Sequence, residues 1–387
     1  MLRSKVGYSM NEDSFTSGAI ACKNAIIGNS SKIGFLYTSC KSNIKEVIKG
    51  VESITDIPII GCTSSGAVII QEGIVASEKG YATMMTMADV NLNVGVACHE
   101  AGKDARTVGR KVALEAVKNA GMNVSPSYFY MIASPREEEE YLMGIQDVIG
   151  RVPCFGGSSA DDAVEGKWKI ICNDKLISDG VAVAFFYTTS DIVTEFDGMY
   201  KETKNVGIIT EVKEDRNLVS IDNEKSLEKY CNWTKQDINS LRGTNLLLSS
   251  IMKPLGIKDR ISDLTVIRHP MVGNNNNTMN IGNKLVEKTA VIQMETTIDE
   301  LIESTGIVLK NTRKRLLSEP AAYILVHSGG RKIAIGSRLQ EVHKQLVKES
   351  KGVPFICMFT FGEYGYKDNS ANTCGGLMLS FTGFGKE

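Results

Sequence analysis

The chain has 387 residues, of which 42% are hydrophobic and 23% charged, and a formal net charge of −1; that length allows two or three domains, and the charge offers no pull toward nucleic acid or an anionic membrane. No apolar run approaches the ~18 residues of a spanning helix, and the polar start over 1–17 lacks the apolar core of a signal peptide, so a cytoplasmic protein without membrane insertion is expected. Nine cysteines without a Cys-x-x-Cys pair favour neither a disulfide framework nor a zinc knuckle, and most read as small buried apolar residues.

After a lead-in over 1–29, a three-part phrase begins. It has an apolar strand over 33–37 and a helix over 42–51, with Ser42 as N-cap and Ile44, Val47, Ile48 and Val51 on one face. A strand led by Pro58 then enters the loop Gly61-Cys62-Thr63-Ser64-Ser65-Gly66. Another strand is expected over 80–85, then a helix over 104–120 stopped by Gly121.

The phrase returns as a strand over 128–133, a helix over 136–149, and a strand led by Pro153 that enters Phe155-Gly156-Gly157-Ser158-Ser159-Ala160-Asp161-Asp162. Its helix reads as a capping box at Ser134 with Pro135 in the first turn, and Glu137 to Glu140 read as solvated. A strand over 180–186 follows. The prolines lie 153 − 58 = 95 residues apart, and the duplication covers about 30–98 and 125–195.

From 200 to 320 the pattern changes: a hairpin over 206–221, a helix near 224–231, an exposed turn at Asn274 to Asn277, and a long helix over 298–317 capped by Thr297 and Glu300. A third, looser copy has a strand over 323–327, a helix over 338–349 boxed by Ser337 and Gln340, and a strand led by Pro354 that enters Thr360-Phe361-Gly362-Glu363. The expected fold is α/β: mixed sheets built from duplicated strand-helix-strand-loop units, helices packed on the sheets, and two regions, 30–221 and 222–387.

In such sheets ligands bind beyond the carboxyl ends of the strands, where these loops lie. Gly156 and Gly157 would let backbone amides approach a ligand, with Ser158, Ser159 and Asp161 orienting its polar groups, an amine suiting Asp161. A structural turn has the same composition. Gly330 and Arg331 follow the first strand of the third copy, and Thr360 and Glu363 end its neighbour, so Arg331 and Glu363 are placed to hold a zwitterion or to pair with each other. The histidines His99, His269, His327 and His343 show no helical metal-site spacing, and no cofactor is expected. His269 is the axial candidate if haem binds. A hydrolase or transferase acting through Ser158 and Asp161 lacks a sequence-evident base.

Taken together, Ile60-Gly61-Cys62-Thr63-Ser64-Ser65-Gly66, Phe155-Gly156-Gly157-Ser158-Ser159-Ala160-Asp161, Gly330-Arg331, Phe359-Thr360-Phe361-Gly362-Glu363 and Asn372-Thr373 with the strand after it resemble the FIST family. Ser328-Gly329 stands where that family commonly has a cysteine-bearing turn, and Cys374-Gly375-Gly376 interrupts its closing motif. The resemblance implies sensing of a small ligand, with amino acids proposed, and haem-based nitric-oxide sensing in some relatives. It also implies a separate signalling partner, such as a histidine kinase, a cyclic-dinucleotide enzyme or a chemotaxis component.

Overall fold

Parallel pairing of two strands joined by a helix is the local event on which the fold is built, and it occurs three times in the computed structural model, which describes residues 1–259, 262–367 and 370–387. In the first unit Ile33–Thr38 pairs with Ile59–Thr63 through the helix Ile44–Glu52. In the second, Tyr128–Ala133 pairs with Cys154–Ser158 through Glu138–Ile149. In the third, Pro320–Ser328 pairs with Phe355–Thr360 through Leu339–Ser350. The registers set Thr38 opposite Thr63, Ala133 opposite Ser158 and Ser328 opposite Thr360, so the three loops leave from equivalent positions.

Each leading strand also pairs antiparallel with the strand that closes its unit: Ala82–Ala88, Gly180–Tyr187 or Leu379–Gly385. That strand in turn pairs with the one that opens the unit: Arg3–Ser9, Asn93–Glu100 or Ile192–Asp197. Residues 1–29 thus supply the opening strand of the first unit and the helix Ser14–Ala25.

Each of the three units' sheets is completed by a hairpin from another unit. Val68–Ile70 of the first lies against Phe355–Thr360 of the third, Ile170–Cys172 of the second against Ile59–Thr63 of the first, and Glu363–Gly365 of the third against Cys154–Ser158 of the second. The exchange closes a ring of three six-stranded sheets. Their inner faces share one core, in which the Phe155 ring lies 4.9 Å from Tyr130 and 5.8 Å from Phe384. With helices on the outer faces, strands such as Ile33–Thr38 are buried on both sides, which is why they read as unbroken apolar runs.

Between the opening strand of the third unit and its long helix is inserted a nine-stranded sheet, running from Lys201–Lys213 to Ala290–Glu295, with its own core around Ile209, Leu218, Leu227, Tyr230 and Met279. The hairpin expected over 206–221 forms its Lys201–Lys213 and Asn217–Ile221 pair.

Two helices match their sequence signals closely. Ala105–Ala120 stops at Gly121 with φ 64°, and Ile298–Arg315 carries the complete Thr297 and Glu300 capping box. Others depart. The second unit's helix starts at Glu138, and the Ser134 hydroxyl bonds Asp179 and the Gly180 backbone instead of capping it. Asn43 rather than Ser42 precedes the first helix, and Ser337 makes no cap. Glu138 is buried, so the glutamate run is not a solvated turn.

Candidate functional site

The three loops meet at one end of the ring. Backbone N–H groups of Ser65, Ala160 and Phe361 donate to the carbonyls of Phe359, Thr63 and Ser158 at 3.0, 3.1 and 3.2 Å. Glycine makes this approach possible: Gly156 has φ 143°, and a Cβ on Gly157 would stand 2.7 Å from the Gly362 carbonyl oxygen.

Within this cluster the sequence-derived polar groups are bonded to the protein itself. Asp161 accepts N–H groups from Ala163, Glu165 and Lys167 at 3.1, 3.0 and 2.7 Å, which folds the following loop around its carboxylate. The Ser159 hydroxyl donates to the Ala133 carbonyl at 3.3 Å. Glu363, opposite Gly157 in the ladder, accepts from the Thr360 hydroxyl at 2.9 Å and from the Met378 N–H at 2.8 Å. Burial pushes its carboxyl up to about 8.

Arg331 is set apart from these groups. It lies on the short helix Gly329–Ile335 and is fully buried. One terminal nitrogen donates to the carbonyls of Gly198 (2.6 Å) and Leu377 (3.4 Å), the other to the Leu301 carbonyl (3.2 Å) and the Ser304 hydroxyl (2.5 Å). It makes no ion pair among the described residues.

Open space lies beside the cluster. A cavity of about 360 Å³ is bounded by the second unit at Arg136, Glu138 and Trp168, by the third at Ser328, Gly330 and Phe361, and by the inserted sheet and its connections at Arg216, Leu247, His269 and Asn283. Of the sequence-derived residues, Gly330 and His269 line it directly. Gly362 and Gly376 add backbone surface without side chains.

Glu138 sits in the first helical turn, where the N-terminal dipole favours a carboxylate. It accepts the Ser158 hydroxyl at 3.0 Å, the Arg136 N–H at 2.8 Å and Arg216 at 3.1 Å. Burial first, and then the Glu139 charge, push it up to about 7 against the pull of Arg216. Ser158, also bonded to Tyr364 at 2.7 Å, therefore stands one bond behind the cavity wall. Arg136 has φ 111°, a strained conformation held by the Glu138 bond and by Arg216 on its carbonyl.

The His269 Nε2–H donates to the Leu247 carbonyl at 3.0 Å, and burial pushes the ring down to about 4, so it is neutral with Nδ1 left as an acceptor. Iron ligation through Nε2 would break that bond, which makes the ring a poor fit for haem. Asn283 is buried with its Oδ1 unbonded. A Cβ on Gly376 would stand 3.2 Å from His269 Cβ and 3.7 Å from Asn283 Oδ1, so both side chains pack against Gly376 on the cavity wall.

Sequence reasoning missed Glu138, Arg216 and Asn283. Glu138 was hidden in a run that looks solvated, its counter-charge Arg216 lies 78 residues away, and Asn283 belongs to no motif.

No curated protein matches this chain. Solved structures with some likeness include a cyanuric acid hydrolase from A. caulinodans (11% identity, 51% of this chain and 73% of that one, TM-score 0.31). A chorismatase matches at 6% identity over 99% and 98% of the two chains with TM-score 0.37. T. maritima PurL complexed with AMPPCP matches at 10% identity over 99% and 72% with TM-score 0.25. Scores this low carry no argument about fold or activity. Family models do match: a FIST N domain over residues 32–224 and a FIST C domain over 226–366, so the chain belongs to the FIST family, whose domains serve signalling proteins as small-ligand sensors.

Proposed function

We propose that this chain is a cytoplasmic sensor that binds a small polar ligand, of the amino-acid class, in the cavity between the ring and the inserted sheet. It signals in trans to a separate output protein, such as a histidine kinase, a cyclic-dinucleotide enzyme or a chemotaxis component. The position of the cavity carries this reading: its walls come from both family regions and from two separate hydrophobic cores, one holding Ile251 and the other Ile281. A ligand touching both walls favours the arrangement that brings them together, through its differential affinity for that state. The links already across the seam are polar, Arg216 to Glu138 and Glu139, and Lys284 to Glu140 at 2.9 Å. Such contacts rearrange more readily than a dry core.

Catalysis through Ser158 and Asp161 draws no support from their geometry, because Ser158 is fully buried and Asp161 is occupied by its own loop. Haem draws none from His269, whose Nε2 is bonded to Leu247.

The test is a thermal-shift screen of the full chain against amino acids, small carboxylates, nucleotides and haemin, in the wild type and in Leu248→Trp, which crowds the cavity from an exposed position. A ligand at ~100 times its Kd stabilises the fold by ~2.7 kcal/mol. A saturable shift lost in Leu248→Trp supports the reading. A ligand bound equally by both proteins, or a shift with haemin alone, refutes it.

A further inference from the structure

The inner end of the cavity offers hydrogen-bond acceptors whose own needs the protein leaves unmet. Asn283 Oδ1 is buried and unbonded, and a buried acceptor left in that state costs about 1–3 kcal/mol unless something donates to it. His269 adds Nδ1, and Glu138 adds a carboxyl with lone pairs to spare beyond its three donors. The half-buried cation on this wall is already engaged: Arg216 is bonded to the Gly282 and Arg136 carbonyls and to Glu138 and Glu139. Arg136 is exposed at the rim, where water screens its charge. Arg331, placed by the sequence pattern to receive a carboxylate, is bonded to carbonyls elsewhere. Around the acceptors the wall is apolar, formed by Leu247, Ile251, Met271, Phe361 and the Trp168 face.

We propose that this cavity reads a protonated primary amine on an apolar body, with the ammonium seated among Asn283 Oδ1, His269 Nδ1 and the Glu138 carboxylate, and that a carboxylate on the same ligand is not recognised. An ammonium brings three donors and a positive charge to three acceptors, one of them a carboxyl whose ionised form that charge favours. A lone carboxylate would instead meet bare acceptors and an engaged arginine. The inference rests on the cavity being the ligand site, and it narrows the amino-acid class to the part of the molecule that is read.

Three compounds with one ring and one chain length separate the possibilities: 2-phenylethylamine, phenylalanine and 3-phenylpropanoate, titrated calorimetrically into the full chain, with isopentylamine and leucine as an aliphatic pair. The amines are expected to bind at least as tightly as their amino acids, with no binding of 3-phenylpropanoate. Glu138→Gln and Asn283→Leu are expected to weaken amine binding tenfold or more while keeping a cooperative melt. If Asn283→Leu fails to fold, Glu138→Gln alone decides. An amino acid tenfold tighter than its amine, binding of 3-phenylpropanoate, or failure of both amines to bind overturns the inference. Loss of binding in Leu248→Trp, whichever compound binds, keeps the cavity as the site, and persistence there removes the cavity reading itself.

Discussion

The loop cluster at the end of the ring and the cavity beside it are made from similar groups, and they differ in where their hydrogen bonds go. In the cluster, Asp161, Glu363 and Ser159 are each bonded inside the protein. In the cavity, Asn283 presents an unbonded oxygen and His269 a free ring nitrogen. Both regions bury a carboxyl whose proton affinity is raised, Glu363 in one and Glu138 in the other. Only Glu138 faces open space. Density of polar residues in sequence therefore marks scaffold here, and the recognition proposed above falls to sparser residues on a mostly apolar wall.

That contrast is sharpest at Arg331. If it is scaffold, Arg331→Met takes the donor from the Gly198 and Leu377 carbonyls in a dry interior, at a cost of about 3 kcal/mol or more, and denaturant unfolding reads the loss. A variant of near wild-type stability with reduced ligand affinity would move Arg331 into the binding machinery.

The buried carboxyls give a test by pH. Glu363 titrates at about 8 in the folded chain against an ordinary value of 4.5, so between these limits the folded state holds the extra proton. Its contribution is fully present below the lower value and is lost as pH rises toward the upper one. Glu363→Gln is expected to gain on the wild type by a few kcal/mol between pH 5 and 8, read as the difference between two stability curves. Equal slopes would show that burial is not holding the proton there.

The smallest effect is expected at Ser159. Ser159→Ala removes one hydroxyl bond to the Ala133 carbonyl, which keeps the Ser159 N–H as a donor at 2.9 Å. Its cost should stay near or below about 1 kcal/mol, without effect on binding. A loss of affinity would erase the distinction between cluster and cavity.

The repeated unit was legible because each copy writes its strand, helix and loop locally: the buried stripe Ile44, Val47, Ile48 and Val51 and the stop at Gly121 both depend on near neighbours. The third copy could be read for the same reason. Hairpin exchange was not legible, since Val68–Ile70 is a short apolar segment whose partner, Phe355–Thr360, lies far along the chain. The site was hidden for a related reason. Glu138, Arg216 and Asn283 come from three separate stretches, and burial, which no local pattern reports, turns a charged helix start into a cavity wall.

The exchanged hairpins also bear on how the protein is made. Val68 pairs with Met358, a separation of 358 − 68 = 290 residues, and Gly157 pairs with Glu363. A nascent chain that has completed the first family region still lacks the strands that finish the second unit's sheet, and its own Val68–Ile70 hairpin has nothing to join. Contacts of such long sequence separation form slowly, and open strand edges invite aggregation while they wait. Completion of the ring thereby waits on residues 355–365, and the two matched regions, separable as stretches of sequence, share their sheets.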